Sequence, residues 1–412
     1  MKKILPTLDL IMLSLMVVSL PSVEAPKNIF LVGYLLTRII SEIFQFKRGV
    51  RQWESWDTLF LTIVFTAFLS TIFSGFSGLE EWKGYMVLLT AILTGWFLSR
   101  AHYSKSQYSM LFKLIILATI PPLLWGLYEF LVIHSRASLE IHSVGHVNHS
   151  AIYLVMIFGA GLGWFLSQLN FRKKNLKVSW ASIALGILSL FFFICLIIGQ
   201  SRGAFGVGIL LGLILFFLLG NEKKIKFIGM ISIISIFVMT ILFQADIVQK
   251  QITNQKNHDV LASRDKVWNV SLEASRFSPL LGLGLSNWHF ITLDHLKKSV
   301  ESRGEVFNPD IYFFPGHSHN LYLSALVERG MIGLAVTFLF MFAWLRQLIK
   351  TFYQTKKSIE ASYLWSGSIS AWVATYGIGF VNTTFHHEHA ILACLFLGLY
   401  LSYSRLFFEK KS

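Results

Sequence analysis

A succession of apolar stretches, each about 20 residues long and joined by short polar links, constrains this chain more than any other feature. A helix that crosses a bilayer needs such a length, because no water is there to satisfy backbone N–H and C=O groups. The stretches run near 4–22, 28–44, 56–74, 84–99, 109–133, 149–168, 178–198, 203–220, 225–244, 330–349, 360–380 and 389–408. The expected fold is an all-α polytopic membrane protein with about twelve transmembrane helices. Composition agrees, since 54% of the 412 residues are hydrophobic and only 14% charged, whereas soluble domains carry nearer 25% charged residues. Pro121-Pro122 falls inside the fifth stretch and predicts a kink there.

At the start of the chain, Lys2 and Lys3 precede the apolar run Leu8 to Leu20, and Val23-Glu24-Ala25 has the outline of a signal-peptide cleavage site. Pro26 directly after it argues for an uncleaved first helix. Cys195 and Cys394 both sit in apolar runs. They read as small buried hydrophobes with no disulfide framework or metal pattern around them.

The formal charge of +14 suggests nucleic acid until the positions of the cations are considered. One side of the alternating links collects Lys2, Lys3, Lys47, Arg48, Arg51, Arg100, Lys105, Arg172, Lys173, Lys174 and Lys177. Lys223, Lys224, Lys226, Arg346, Lys350, Lys356, Lys357, Arg405, Lys410 and Lys411 fall on that side too. The short links on the other side hold only Lys27, Lys83, Arg136 and Arg202. The positive-inside rule then puts both termini in the cytoplasm. Topology accounts for the basic balance, and no nucleic-acid partner is expected. The long polar segment 245–318 falls outside, so residues 1–412 read as one membrane domain with an external insertion between the ninth and tenth spans. A loop of this length is functional or disordered. Here Ser263 to Phe277 reads as a helix, with Ser263 as N-cap and Asp265 in the first turn.

The external side gathers the groups able to do chemistry. Arg202, in Ser201-Arg202-Gly203, sits in a short turn before an apolar span, and Arg264 opens the loop helix. Such an arginine can simply snorkel to the interface. Two of them at helix N-termini on one side also suit a pyrophosphate, whose oxygens accept paired guanidinium hydrogen bonds. In Gly316-His-Ser-His-Asn320, Asn320 or Ser318 can cap the helix that follows, and Gly330 and Gly333 permit close helix approach. His319 reads either as a solvent histidine before a capped helix or as a base for a hydroxyl proton near neutral pH. His317 and Asn320 are secondary candidates. His142, His146, His149, His386, His387 and His389 flank other external helix ends; histidines so placed mostly line interfaces or cavities, and no metal site is expected from them. Glu328 and Arg329 read as interfacial pairing groups, and Asp265 can either orient Arg264 or compete with its anion.

In this order, Ser201-Arg202-Gly203-Ala204, Ser263-Arg264-Asp-Lys-Val-Trp268, Pro279-Leu-Leu-Gly282-Leu-Gly284, Gly316-His-Ser-His-Asn320 and Gly330-Met-Ile-Gly333 resemble the O-antigen ligase and polymerase superfamily. The motifs cover about a quarter of the chain, while helix count and loop position agree along all of it. His-Asn, nine residues, then Gly-x-x-Gly is closest to the ligase branch and selects His319, because the same count from His317 lands on Glu328. The resemblance implies a GT-C-like fold in the Gram-negative inner membrane. It implies inverting transfer of an undecaprenyl-pyrophosphate-linked glycan to the lipid A-core oligosaccharide at the periplasmic face. His319 would take the hydroxyl proton, Arg202 and Arg264 would neutralise the leaving pyrophosphate, and no metal or other cofactor is implied.

Other readings compete. The polymerase branch uses the same donor but extends another lipid-linked glycan. Protein O-oligosaccharyltransferases resemble longer chains with an added C-terminal region, whereas this one ends at Ser412 after its last span. A transporter or flippase would place ionisable groups near mid-membrane and carry paired broken helices.

Overall fold

A computed structural model describes residues 4–47, 52–74, 79–171, 179–220, 222–242, 248–249, 252–253 and 263–408. The basic residues at 2–3, 48, 51, 172–174, 177 and 410–411, and most of 243–262 at the start of the expected insertion, lie outside them. Among the described residues the fold is all helical, with one isolated bridge between Ile141 and Gly145.

The helices are α1 (Ile4–Ser19), α2 (Glu24–Lys47), α3 (Ser55–Phe73), α4 (Leu79–Ser99), α5 (Lys105–Ala118) and α6 (Ile120–Tyr128). There follow α7 (Val147–Asn170), α8 (Trp180–Ile198), α9 (Arg202–Leu219) and α10 (Lys223–Leu242). The inserted segment holds α11 (Arg264–Ala274) and α12 (Leu293–Glu301), and the chain closes with α13 (Leu321–Thr355), α14 (Ile359–Ile378) and α15 (His387–Phe407). Helices thus stand at every expected span position. Among the described residues, eight stretches are long and apolar enough to cross a membrane by length and composition: α3, α5 with α6 and the turn after it, α7, α8, α9, α10, α13 and α15. The remaining four (α1, α2, α4 and α14) are shorter or more polar; α1, α4 and α14 pack against members of the eight, and α2 packs against α1 and α4. The expected kink lies between α5 and α6, where Pro121 and Pro122 occupy the first turn of α6 and need no intrahelical N–H partner.

Close backbone approach builds the centre of the bundle. In α7, Gly159 and Gly163 face Ser370 and Ser366 of α14, where an added Cβ would collide with the serine side chains. Small residues four apart on both helices let the backbones meet without a gap. Gly95 of α4 meets Cys394 and Gly398 of α15 in the same manner, so Cys394, like Cys195, is a buried packing residue with a free thiol. The apolar windows of α7 and α15 are 89% and 83% buried, against 17% for α10, which puts the first two at the core and α10 at the rim.

The inserted segment from residue 263 onward is folded. Val267, Val270, Ala274, Leu283, Trp288, Ile291 and Leu296 make a second apolar core that also takes in Val327 of α13. Trp288 donates to Ser271 Oγ at 3.1 Å, and Arg303 grips Glu273 through two hydrogen bonds of 2.7 and 3.0 Å. The helix expected over 263–277 spans 264–274, but Ser263 does not cap it as anticipated: its φ is +56° and its side chain makes no cap hydrogen bond.

Gly330 corrects a second expectation. It does not serve as a smooth contact surface on an unbroken helix, because its φ of 65° and ψ of −169° break α13 there. Partners for the backbone groups so freed come from Pro279–Gly284. Leu283 N and Gly284 N donate to the carbonyls of Val327 and Glu328 at 2.8 and 3.0 Å, while Met331 N and Ile332 N donate to Pro279 and Leu280 at 2.8 and 3.3 Å. Ser70 of α3 adds a 2.6 Å bond to the Glu328 carbonyl. A Cβ on Gly330 would strike the Leu280 backbone. Gly330→Ala is therefore expected to lose about 1–3 kcal/mol from backbone strain alone. Gly206→Ala on α9, where nothing lies within 4 Å of the new methyl, should be neutral or gain up to about 1 kcal/mol. Thermal unfolding of both variants in detergent checks this; equal shifts would contradict the break.

Candidate functional site

Three segments distant in sequence converge at the end of the bundle where α7, α9, α13 and α15 begin. At the first, Ser201 precedes α9 and donates to Asn148 Oδ1 of α7 at 3.1 Å. Gly203 is glycine for a steric reason: a Cβ would lie 2.7 Å from Val381 in the turn between α14 and α15. That lack of bulk brings the turn against the helix end that carries Arg202.

The second segment is the entrance to α13. Asn320 caps it as expected, its Oδ1 accepting from Tyr322 N and Leu323 N at 2.9 and 3.0 Å. Its Nδ2 donates to the Phe380 carbonyl at 3.0 Å, and Leu321 N donates to the Gly379 carbonyl at 2.8 Å. Ser318, fully buried, donates to the Asn320 carbonyl at 2.7 Å. His319 is held between these two anchored neighbours. Its Nδ1 is buried with no hydrogen-bond partner among the described residues, and its ring centroid lies 4.1 Å from that of His317.

The third is the start of α11, where Arg264 is half-buried and, among the described residues, pairs with no carboxylate. Asp265 beside it is exposed and forms no ion pair with it, so it neither orients nor neutralises the guanidinium. Burial and then the charge of Arg202 lower the pKa of Arg264. Burial, then His317, then Arg264 push His319 down to about 4, against a smaller upward pull from a hydrogen bond with Asn382. Arg264 therefore lies within electrostatic reach of both Arg202 and His319. Backbone strain marks the same places: φ is +54° at Gln200, +56° at Ser263 and +48° at His319, at or just before each of the three residues. Non-glycine residues hold such conformations only where their surroundings over-determine them.

Asn382 was not singled out from the sequence. It is buried, accepts from Thr383 N at 2.9 Å through its Oδ1, and sits in the turn that touches both Gly203 and Asn320. The polar run Asn382-Thr-Thr384 directly after an apolar span was its one signal in the sequence.

The flanking histidines form a cluster. His149 lies 5.5, 4.8, 5.2 and 5.2 Å, ring to ring, from His146, His386, His387 and His389. His142 is exposed and makes none of these contacts. Three of the cluster's members, His149, His386 and His387, wall a cavity of about 460 Å³ together with His317, Ser286, Glu328, Arg329 and the side of α4. Arg202, Arg264 and His319 are not in that wall; His319 adjoins it through His317. Glu328 and Arg329 each pair with a neighbour: the Glu328 carboxylate accepts from Ser286 N at 3.2 Å, and Arg329 donates to Thr337 at 3.0 Å. Glu388 is committed to a buried ion pair with Lys27, and among the described residues no group of three or more His, Cys, Asp or Glu is arranged to hold a metal ion.

Residues 187–338 match the family model described as O-antigen ligase. That segment contains Arg202, Arg264, His317, His319, Asn320 and the sealed helix break, and stops short of Asn382 and the histidines of α15. A protein of Rickettsia typhi that carries the provisional name polysaccharide ligase is 27% identical over 193 residues, which are 45% of this chain and 43% of that protein. A Rickettsia felis protein with the same provisional name is 24% identical over 193 residues with the same shares. The chain spans less than half the length of the curated relatives it matches. The superfamily resemblance read from the motifs is thus found again in these comparisons.

The Lys27–Glu388 pair beside the histidine cluster is open to a direct test. Its side chains are 6% and 8% exposed, so Lys27→Met strands a buried carboxylate and should lower stability by about 3–5 kcal/mol. Lys27→Met with Glu388→Leu should recover most of that loss. Thermal unfolding in one detergent compares the two; a double variant no better than the single would show that the pair is not what ties α2 to α15.

Proposed function

We propose that the chain is a membrane glycosyltransferase of the O-antigen ligase and polymerase type, acting as a ligase. It would move a glycan from undecaprenyl pyrophosphate to a hydroxyl of the lipid A-core oligosaccharide at the periplasmic face of the inner membrane. The observation that carries this reading is the convergence of Arg202, Arg264 and His319, from three separate segments, on one small region. The family match over 187–338 and the printed names of the two relatives support it.

The chemistry follows from the residue types. The donor's pyrophosphate would lie against the two arginines, whose mutual repulsion an anion relieves. The acceptor hydroxyl would come to His319 from the histidine-lined cavity. Its oxygen attacks the anomeric carbon, the bond from that carbon to the phosphate oxygen breaks, and configuration inverts. His319 takes the hydroxyl proton, and the undecaprenyl pyrophosphate leaves with its added negative charge balanced by Arg202 and Arg264. In the empty site His319 is neutral and so free to accept a proton, though weakly basic. A bound pyrophosphate favours the imidazolium and makes the ring a stronger base when donor is present. Proton transfer and charge neutralisation are thus both assigned to residues of this chain. Both lipid-linked substrates would arrive by diffusion in the bilayer.

His319→Ala, expressed in cells that lack their own ligase, is expected to abolish the O-antigen ladder on lipopolysaccharide gels while lipid-linked polymer accumulates. The drop should reach about 10²–10⁴-fold. A surviving single-repeat band on core would indicate the polymerase instead, and an unchanged ladder would remove His319 from the mechanism. Measured against pH in detergent, kcat/KM reports the free enzyme. A base with its pKa near 4 stays neutral down to that region, so the acid limb of kcat/KM should fall well below pH 6.5. The limb of kcat should lie higher, because the bound donor raises the imidazole pKa. An acid limb of kcat/KM at pH 6.5 or above would count against His319 as the base.

A further inference from the structure

We infer that the end of the bundle away from the histidine cluster holds a site for an anionic phospholipid, binding its headgroup phosphate and the first part of its acyl chain. This inference is independent of the transfer reaction. A cavity of about 800 Å³ opens there between α3, α13 and α15. All three helices line it with the same gradient along their length. On α13 the stripe begins with Leu339, Phe342 and Ala343 and ends with Arg346 and Lys350, one face by helical spacing. On α15, Leu401 is followed one turn later by Arg405, and on α3 the polar Glu54 and Ser55 give way to Trp56 and Leu59. Three cations thus ring one end of the cavity and aliphatic or aromatic side chains the other, which is the chemistry of a phosphate joined to a hydrocarbon chain.

Charge pairing within the protein leaves two of these cations available. Arg405 is engaged by the Ala101 carbonyl at 3.2 Å and by Glu54 at 3.6 Å. Among the described residues Arg346 and Lys350 are exposed and pair with no carboxylate. Glu54, the one acid in the wall, is thereby drawn toward Arg405. The inner end is closed by Trp56, whose ring meets Phe340 and Phe60 at 6.0 and 5.9 Å, and the α13–α15 side by Gln347 donating to Ser404 at 3.4 Å. The remaining side is open to the bilayer: Leu339 and Phe342 are 52% and 58% exposed, so an acyl chain can enter sideways from lipid. Basic pockets between helices at this kind of membrane end are suited to anionic headgroups.

The test uses the full chain, purified in neutral detergent and stripped of lipid, with thermal unfolding followed on addition of phosphatidylglycerol, phosphatidylcholine or inorganic phosphate. Phosphatidylglycerol should raise the midpoint saturably, and the other two should not. Arg346→Gln with Lys350→Gln should weaken the phosphatidylglycerol response more than about tenfold. Lys356→Gln with Lys357→Gln, which removes equal charge at the same helix end outside the cavity, should leave it unchanged. Equal responses to phosphatidylcholine, a response reproduced by inorganic phosphate, or equal weakening by both double variants would overturn the site. If the first double variant does not fold, Ala343→Trp fills the apolar half and keeps the cations; an undiminished response in that variant would overturn the site as well.

Discussion

In a bilayer, a helix that breaks must find partners for every backbone group it frees, since each one left bare in hydrocarbon costs several kcal/mol. The break in α13 at Gly330 is the point on which this constraint acts most heavily. Four hydrogen bonds from or to Pro279–Gly284 and a fifth from Ser70 close the gap. The inserted segment is consequently stitched into the membrane helix as part of its backbone ladder. Val327, one turn before the break, also belongs to the apolar core of that segment. α11, which carries Arg264, and the entrance of α13, which carries His319, are therefore two ends of one hydrogen-bonded unit. Their relative position does not depend on a flexible linker.

The chain treats its buried cations in two ways. At one end of the bundle Arg38 meets Asp9 and Glu42 at 3.6 and 2.7 Å, and Arg100 meets Glu42 at 2.9 Å and also Asp57. Asp9 and Asp57 receive further bonds from Tyr103 and Trp96, each at 2.7 Å. Charges taken out of water are bearable when they are paired and hydrogen-bonded in this way. At the other end Arg264 pairs with no acid among the described residues, and burial first, then the charge of Arg202, lowers its pKa. A site built to meet an anion would carry such an imbalance until the anion arrives.

Much of this was legible in the sequence, for identifiable reasons. The length of the apolar runs located the helices, because backbone desolvation in a membrane leaves little choice of structure. Asn320 was readable as a cap from residue type and place alone. The grouping of Arg202, Arg264 and His319 followed from the order of the motifs. Gly330 was misread because Gly-x-x-Gly in an apolar run has two physical uses, close helix packing and positive φ, and spacing does not tell them apart. Ser263 failed as a cap because its own backbone is left-handed, which a serine gives no hint of. Asn382 was missed for a different reason: its position beside His319 comes from how α14 and α15 turn over α9, a tertiary relation with no local pattern. Of the four helices outside that set, α1 is too short, and the others carry more polar or charged residues, such as Lys27 of α2 in its buried ion pair.

The histidine cluster and the arginines divide their end of the bundle electrostatically. Imidazoles packed with ring centroids about 4–5.5 Å apart can coexist only if most are neutral, since adjacent imidazolium ions in a half-buried setting repel strongly. His317 and His319 are both held below their ordinary range, burial first and neighbouring positive charge after it. The imidazole side of the cavity beside them is accordingly polar and largely neutral, rich in groups that can either donate or accept, while Glu80, Lys83, Glu328 and Arg329 line the rest. Neutral imidazoles of this kind suit hydroxyls, which can donate to them or accept from them. Arg202 and Arg264 offer the opposite, fixed positive charge with directed N–H donors. His319, with His317 in that wall on one side and Arg264 on the other, occupies the boundary where a sugar hydroxyl from the cavity would meet a phosphate-bearing carbon held by the arginines. On the proposed reading this boundary, more than any one residue type, is what the strained backbone at positions 200, 263 and 319 is maintained to create.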